Sequence, residues 1–302
     1  MAHVDEGGSP LVSILIDEST RVVCQGITGR QGTFHCERAL ASGTQIVGGV
    51  RQGKGGTSHL GVPVFDTVAE AIEVTQANAS VIFVPPANAA EAIIEAADAG
   101  IALVVCVTER IPVMDMVRVR AHLKESSTVL VGPNSPGLAV PDVGTLGIMP
   151  QGIFLPGAVG VVSRSSTLTY EAVDQTTRNG LGQSACIGIG ADPVGGISVS
   201  ESLQLFMNDD QTQGVVLIGE VGGRAEENAA EFLSTLSSDK PVVAYIAGQT
   251  VREGRRMGHA GSIVHYGLGT ARTKIEALQD AGVRVVSSPM EIGSVIAESL
   301  GR

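Results

Sequence analysis

The 302-residue chain contains no tryptophan, three tyrosines and six phenylalanines. So thin an aromatic content offers bases little to stack on, which argues against binding single-stranded nucleic acid. Positive charge is also short: 20 Lys and Arg stand against 31 Asp and Glu, for a net charge of −11. A surface of that sign repels phosphate backbones, so no nucleic-acid partner is expected. Any anionic ligand must be met locally, by backbone amides, helix N-termini and a few placed cations. The four cysteines, Cys24, Cys36, Cys106 and Cys186, form no C-x-x-C pair. Reduced thiols and a cytoplasmic location are the expectation. The six histidines show neither H-x-H nor H-x-x-x-H spacing, so no metal site is expected. No run approaches the roughly 18 apolar residues of a membrane span, so no membrane partner is expected. Residues 1–12 carry no signal-peptide pattern and read as a flexible tail.

What the chain does have is 39 glycines, scattered without a period, and 43% hydrophobic residues. The length suggests about two domains. Short β-branched runs at 21–24, 45–50, 79–83, 103–107 and 129–131 predict strands. Helical patterns at 32–42, 67–76, 89–99 and 112–125 lie between them. Strands alternating with helices predict a parallel sheet covered on both faces. The stretch 132–157, rich in Pro and Gly, reads as loop at a domain boundary. A second series follows, with strands at 159–163, 184–188, 214–219, 241–246 and 283–287. Its helices are predicted at 167–179, 198–208, 225–235, 271–281 and 290–300. The expectation is an α/β chain of two domains, 13–144 and 145–302.

Two constellations carry chemistry. In the first, strand 21–24 runs into Gln25-Gly26-Ile27-Thr28-Gly29-Arg30-Gln31-Gly32 and then a helix. Glycines let the backbone approach a ligand, and the helix N-terminus offers free N–H groups to a phosphate. The G-x-x-G-x-x-G spacing differs from the dinucleotide fingerprint. The next strand ends in Arg51-Gln52-Gly53-Lys54 where an NAD site would place an acid. Cations there suit a phosphorylated ribose, in NADP or in the 3′-phosphate of coenzyme A.

The second constellation is His259, set in Arg255-Arg256-Met257-Gly258-His259-Ala260-Gly261-Ser262. Small neighbours leave an imidazole accessible for nucleophilic or phosphoryl-carrier work. Ser163-Arg164-Ser165-Ser166-Thr167 opens a helix and offers hydroxyls and amides to an anion. Glu220 ends a strand, where open α/β sheets place ligands, and a carboxylate there suits orienting a histidine ring. N-capping by the serines, and a turn role for the carboxylate, are the plainer alternatives.

With both constellations assembled, the sequence resembles the α subunit of the succinyl-CoA synthetase (succinate–CoA ligase) family. The likeness runs from about Val12 to the C-terminus. It includes SILID, CQGITGRQGTFH, GKGGTSHLGVPVF, GPNSPG, VVSRSSTLTYE, GEVGGRAEE and YIAG…GRRMGHAG in order. The resemblance implies an N-terminal Rossmann-like CoA-binding domain and a C-terminal flavodoxin-like ligase domain. It implies a partner β subunit with an ATP-grasp site for ATP or GTP with Mg, in an αβ or α2β2 assembly. The implied reaction joins a small organic acid to CoA through an acyl phosphate and a phosphohistidine. GIMP and FLPG also resemble the malate–CoA ligase branch, so succinate, malate or an acid such as sulfoacetate fits.

By position, the resemblance makes His259 the phosphohistidine and Glu220 its orienting carboxylate. It assigns CoA binding to Thr28, Gly29, Arg30, Gln31, Lys54, Val107, Thr108 and Glu109. Phosphate binding falls to Ser165, Ser166 and Thr167. Substrate or partner contact falls to Asn134, Ser135, Pro136 and Tyr170. The sequence departs from the family's pattern with Ser135 where Cys is expected and Ser166 where Gly is expected. Two alternatives are a non-catalytic CoA-binding regulatory subunit and an NADP-dependent oxidoreductase. The second gives no task to His259 or to the 163–167 turn.

Overall fold

The computed structural model describes residues 14–251, 258–259, 261–264 and 269–302. The tail expected at 1–12 lies outside the described residues. The first half runs β1 (Val22–Gln25), α1 (Arg30–Ala41), β2 (Ile46–Val50), β3 (Thr57–His59), β4 (Val62–Phe65), α2 (Val68–Thr75), β5 (Ala79–Ile82), α3 (Pro86–Asp98), β6 (Leu103–Cys106), α4 (Val113–Leu123) and β7 (Val129–Val131). Its sheet has the order β3-β4-β2-β1-β5-β6-β7, with β3 antiparallel at one edge. The central strands β1, β5 and β6 are buried along their whole length, as strands with helices on both faces must be. Local chemistry sets the helix starts. Thr67 caps α2 by accepting from the Glu70 N–H, and α3 opens with Pro86 at its first position.

The second half runs β8 (Gly137–Val140), β9 (Gly144–Gly147), β10 (Pro156–Ser163), α5 (Ser166–Arg178), β11 (Gln183–Gly188), α6 (Val199–Asn208), β12 (Gly214–Glu220), α7 (Ala225–Ser234), β13 (Val242–Ala247), α8 (Ala271–Asp280), β14 (Arg284–Val286) and α9 (Ile292–Ser299). The sheet order is β14-β13-β12-β10-β11-β8-β9. Strands β10 to β14 pair in parallel, and β8 joins antiparallel to β11. Ser198 and Glu201 form a reciprocal capping box at the start of α6.

The 132–157 stretch departs from its reading as loop. It contains the β8–β9 hairpin, which extends the second sheet. The expected division at 144/145 falls at the start of β9. The hairpin also packs on the first half: β9 lies against α1 and β6. The Thr145 N–H donates to Thr44 Oγ1 at 2.9 Å. Leu138, Leu146 and Ile187 share one buried cluster with Ile27, Val105 and Val131, so the sheets are joined by a continuous apolar core. Among the described residues, no helix is long and apolar enough to cross a membrane.

In both sheets the chain reverses direction of travel around a central strand. β1 lies between β2 and β5, and β10 between β11 and β12. Ligands of open α/β sheets bind at the carboxyl ends of strands at such reversals. The glycine turn follows β1, while the 164–166 turn follows β10 and Glu220 ends β12.

Candidate active site

At the first edge, Gly26 has φ +89°, and its carbonyl accepts from the Gly29 N–H at 2.9 Å. A Cβ on Gly32 would stand 2.3 Å from that same carbonyl oxygen, so glycine is needed for α1 to begin so close to β1. Gly29 caps α1 with extended backbone, and Arg30 and Gln31 follow, exposed, as its first residues. Among the described residues no acceptor meets the N–H of Arg30 or Gln31. Thr28 Oγ1 accepts from Arg51 Nη1 at 3.1 Å, which ties the cationic loop to the turn. Asp66 shapes that loop by accepting from the N–H of Lys54 (3.1 Å) and Gly55 (2.9 Å). Lys54 itself is exposed. The edge therefore offers free amides, an open helix end and cations, as a phosphorylated ligand requires.

The sheets meet along residues 107–109, 132–137 and 188–197. Thr108 Oγ1 donates to the Val84 carbonyl at 2.6 Å, and the Thr108 carbonyl accepts from the Asn134 N–H at 2.9 Å. Val107 and Thr108 are half-buried, and Glu109 is exposed beside Arg110. Asn134 Nδ2 donates to Asp192 Oδ1 at 3.0 Å. Burial raises the Asp192 carboxyl, and Glu109 adds to that rise, while Asn134 and His259 oppose it. Ser135 is buried; its hydroxyl donates to the Gly188 carbonyl at 2.5 Å and accepts from the Gly137 N–H at 2.8 Å. Pro136 is also buried and packs against Gly188.

At the second edge, His259 Nδ1 lies 2.6 Å from Glu220 Oε2. The ring is partly exposed, while Glu220 is almost fully buried. Among the described residues nothing bonds Nε2. The Glu220 hydrogen bond raises the His259 pKa above the ordinary imidazole value. Burial and Arg164 oppose that rise, and Asp192 supports it. Of the 255–262 segment, Gly258, His259, Gly261 and Ser262 are described; Arg255, Arg256, Met257 and Ala260 lie outside the described residues. Ser165 caps α5, its hydroxyl accepting from the Leu168 N–H at 3.4 Å. Ser166 and Thr167 open the helix, and among the described residues no acceptor meets their N–H groups. Tyr170, on the same helix, is half-buried, and burial raises its hydroxyl.

One layer of this edge is absent from the sequence-based candidates. Arg164, itself buried, places Nη2 3.2 Å from Glu220 Oε1. Its Nη1 donates to Glu226 Oε1 at 3.1 Å and to the Gly222 carbonyl at 3.3 Å. Glu226 is fully buried, pairs with the equally buried Lys274, and accepts from the Glu220 N–H at 3.0 Å. Burial would push the Glu226 carboxyl up; Arg164 and Lys274 outweigh it and hold it below the usual carboxylate range. The signal in the sequence was the arginine inside SRSST and the lysine on α8. Their ionic partners stand 62 and 48 residues away.

Two family matches cover most of this architecture: CoA binding domain over residues 17–110 and CoA-ligase over residues 162–284. The chain is 55% identical over 289 residues to the succinate–CoA ligase [ADP-forming] subunit alpha 2 of Archaeoglobus fulgidus, spanning 96% of this chain and all of that one. The chain belongs to the succinate–CoA ligase α-subunit family. Against the α subunit from Aquifex aeolicus, identity is 51% over 291 residues, 96% of this chain and 95% of that one. The fold of this α-subunit family member is shared with Methanosaeta concilii ATP citrate lyase bound to (3S)-citryl-CoA. The TM-score is 0.87 at 22% identity, over 95% of this chain and 50% of the lyase. It is also shared with the dinucleotide forming acetyl-coenzyme A synthetase 1 of Ca. Korarchaeum cryptofilum, at TM-score 0.78 and 18% identity, over 94% of this chain and 61% of that one. The succinate–CoA ligase α-subunit assignment makes the chain part of an acid–CoA ligase, with its CoA-binding domain first and its ligase domain second.

Proposed function

We propose that this chain is the α subunit of a nucleotide-dependent ligase that joins succinate, or a closely related acid, to CoA, with His259 as the phosphoryl carrier. The observation that carries the reading is the 2.6 Å contact between His259 Nδ1 and the buried Glu220. That contact fixes the ring with its Nδ1 proton toward the carboxylate and leaves the Nε2 lone pair to attack phosphorus. A phosphorylated imidazole carries about two negative charges. The open amides of Ser166 and Thr167 at the start of α5 suit that charge, since a helix N-terminus contributes about 0.3–1 kcal/mol to a nearby anion. Thr28, Gly29, Arg30, Gln31 and Lys54 would hold CoA by its phosphates, with Val107, Thr108 and Glu109 along its path. CoA supplies the thiol that receives the acyl group. Asn134, Ser135, Pro136 and Tyr170 belong to the substrate and partner side, where Ser135 acts by bracing the backbone of the joint.

The relatives' ADP-forming names favour ATP over GTP as the nucleotide, which with Mg would be held on a partner β subunit in an αβ or α2β2 enzyme. Free buried thiols fit a cytoplasmic setting, and burial, aided by Asp192 and opposed by Thr108, pushes Cys106 up to about 12. The test is co-expression with the β subunit, labelling with γ-phosphate-labelled ATP, and a quench in base, where phosphohistidine survives and acyl phosphate does not. Label that vanishes in His259→Ala is the expected result. An unlabelled wild-type complex overturns it in favour of a CoA-binding regulatory subunit.

A further inference from the structure

The geometry points to Arg164 as a positioning residue for His259: its guanidinium holds Glu220 on the side away from the ring and opposes the carboxylate's grip on the ring proton. The inference rests on His259 being the phosphoryl acceptor. A buried carboxylate 2.6 Å from an imidazole favours the imidazolium, and an imidazolium has no lone pair for phosphorus. Glu220 therefore orients the ring at the risk of silencing it. Its second oxygen, Oε1, is buried and among the described residues makes no hydrogen bond, and Arg164 Nη2 stands 3.2 Å from it as an ion pair.

The guanidinium is itself pinned. Nη1 bonds Glu226 Oε1 and the Gly222 carbonyl, and Glu226 is held by Lys274 and by the backbone N–H of Glu220. Side chain and main chain of Glu220 are thus tied to one rigid unit. Among the described residues the charged groups facing the ring come from three segments. Glu220 ends β12 and Asp192 lies between β11 and α6; both favour its protonation. Arg164 precedes α5 and disfavours it. Among the described residues Arg164 is the cation of that set. A planar fork that meets two carboxylates at once is a task for which lysine is a poor substitute.

The ring of His259 can be titrated by NMR in the full chain, without the partner, in wild type, Arg164→Gln and Arg164→Lys. The midpoint of Arg164→Gln is expected to rise by at least about half a pH unit. Arg164→Lys keeps the charge but reaches one carboxylate at a time, so a smaller rise is expected. General damage would instead release the ring toward the ordinary histidine value, which lies lower. An unchanged or lowered midpoint in Arg164→Gln overturns the inference. If that variant does not fold, an unchanged midpoint in Arg164→Lys does so. In the complex, the rising limb of phosphorylation rate against pH should move up in Arg164→Gln by the same amount as the ring midpoint. An equal loss at every pH would reduce Arg164 to a structural anchor. A wild-type complex that takes no label would sink the phosphohistidine reading, while the ring titration still judges Arg164.

Discussion

Glu220 and His259, 39 positions apart in sequence, meet through a 2.6 Å contact between Oε2 and Nδ1, and Glu220 is the more deeply buried of the two. The anchored partner is the carboxylate and the partly exposed one is the ring. This is the order a transfer group needs, because the ring must meet a substrate while its support stays dry.

Glu220→Gln should lower both the titration midpoint of His259 and the phosphorylation rate. The Glu220 hydrogen bond raises the folded ring's pKa, so the stabilisation of the protonated ring is complete below its unfolded value of 6.5 and is lost as pH rises through the folded value. The amide removes that contribution. The maximal phosphorylation rate should fall by about 10²-fold, the low end of what an oriented acid–base partner supplies. A quench-flow rate equal to wild type would remove Glu220 from the mechanism.

Lys274→Met should be far more costly than its place on a surface helix suggests. It strips a fully buried cation from Glu226 and from Glu227, and breaking one member of a buried ionic set costs about 3–5 kcal/mol. Urea unfolding measures the loss. Acid should act through the same carboxylate. Glu226 is held below its ordinary value of 4.5, so its contribution is complete above that pH and drains as pH falls through the lower folded value. Glu226→Gln, weaker at neutral pH, should lose less on acidification; an acid limb as steep as wild type's would contradict the assignment.

Gly32→Ala should separate stability from the second edge. The added methyl would meet the Gly26 carbonyl oxygen at 2.3 Å, so the turn must open. Overpacking of this kind costs about 1–3 kcal/mol. Calorimetric titration should show CoA binding weakened more than tenfold, with the ring of His259 titrating as in wild type. Unaltered CoA affinity would move the phosphate site elsewhere.

Lys54→Met should weaken CoA by about fivefold, the upper range for an exposed ion pair, and leave dephospho-CoA unaffected. Equal loss for the two ligands, read by competition binding, would detach Lys54 from the 3′-phosphate.

Sequence patterning carried most of the architecture because buried parallel strands announce themselves as β-branched runs, as β1, β5 and β6 do. The pairing of His259 with Glu220 was reachable for a similar reason: strand ends and glycine loops mark where ligands sit. The hairpins were not. β3 spans three residues, and β8 and β9 four each, amid glycine and proline, too short for a period of two to show. β3 pairs with the adjacent β4, and the β8–β9 hairpin is placed by the pairing of β8 with the distant β11. The ionic layer was hidden differently. Lys274 lies on α8, where a lysine ordinarily faces water, and only the tertiary approach of Glu226 and Glu227 lets it lie buried. Ser135, expected on the substrate or partner side where the family's pattern has Cys, spends its hydroxyl on two backbone groups, a use that sequence spacing does not show.

The hairpin that knits the halves together has a bearing on substrate delivery. Leu138 and Leu146 are packed with residues of both sheets, and Thr145 is latched to Thr44, so the halves have little freedom to swing like jaws. A CoA arm held at the glycine turn, as proposed above, would have to reach the imidazole by its own length. Carriers with shortened or stiffened tethers should therefore stall at transfer even when they dock normally.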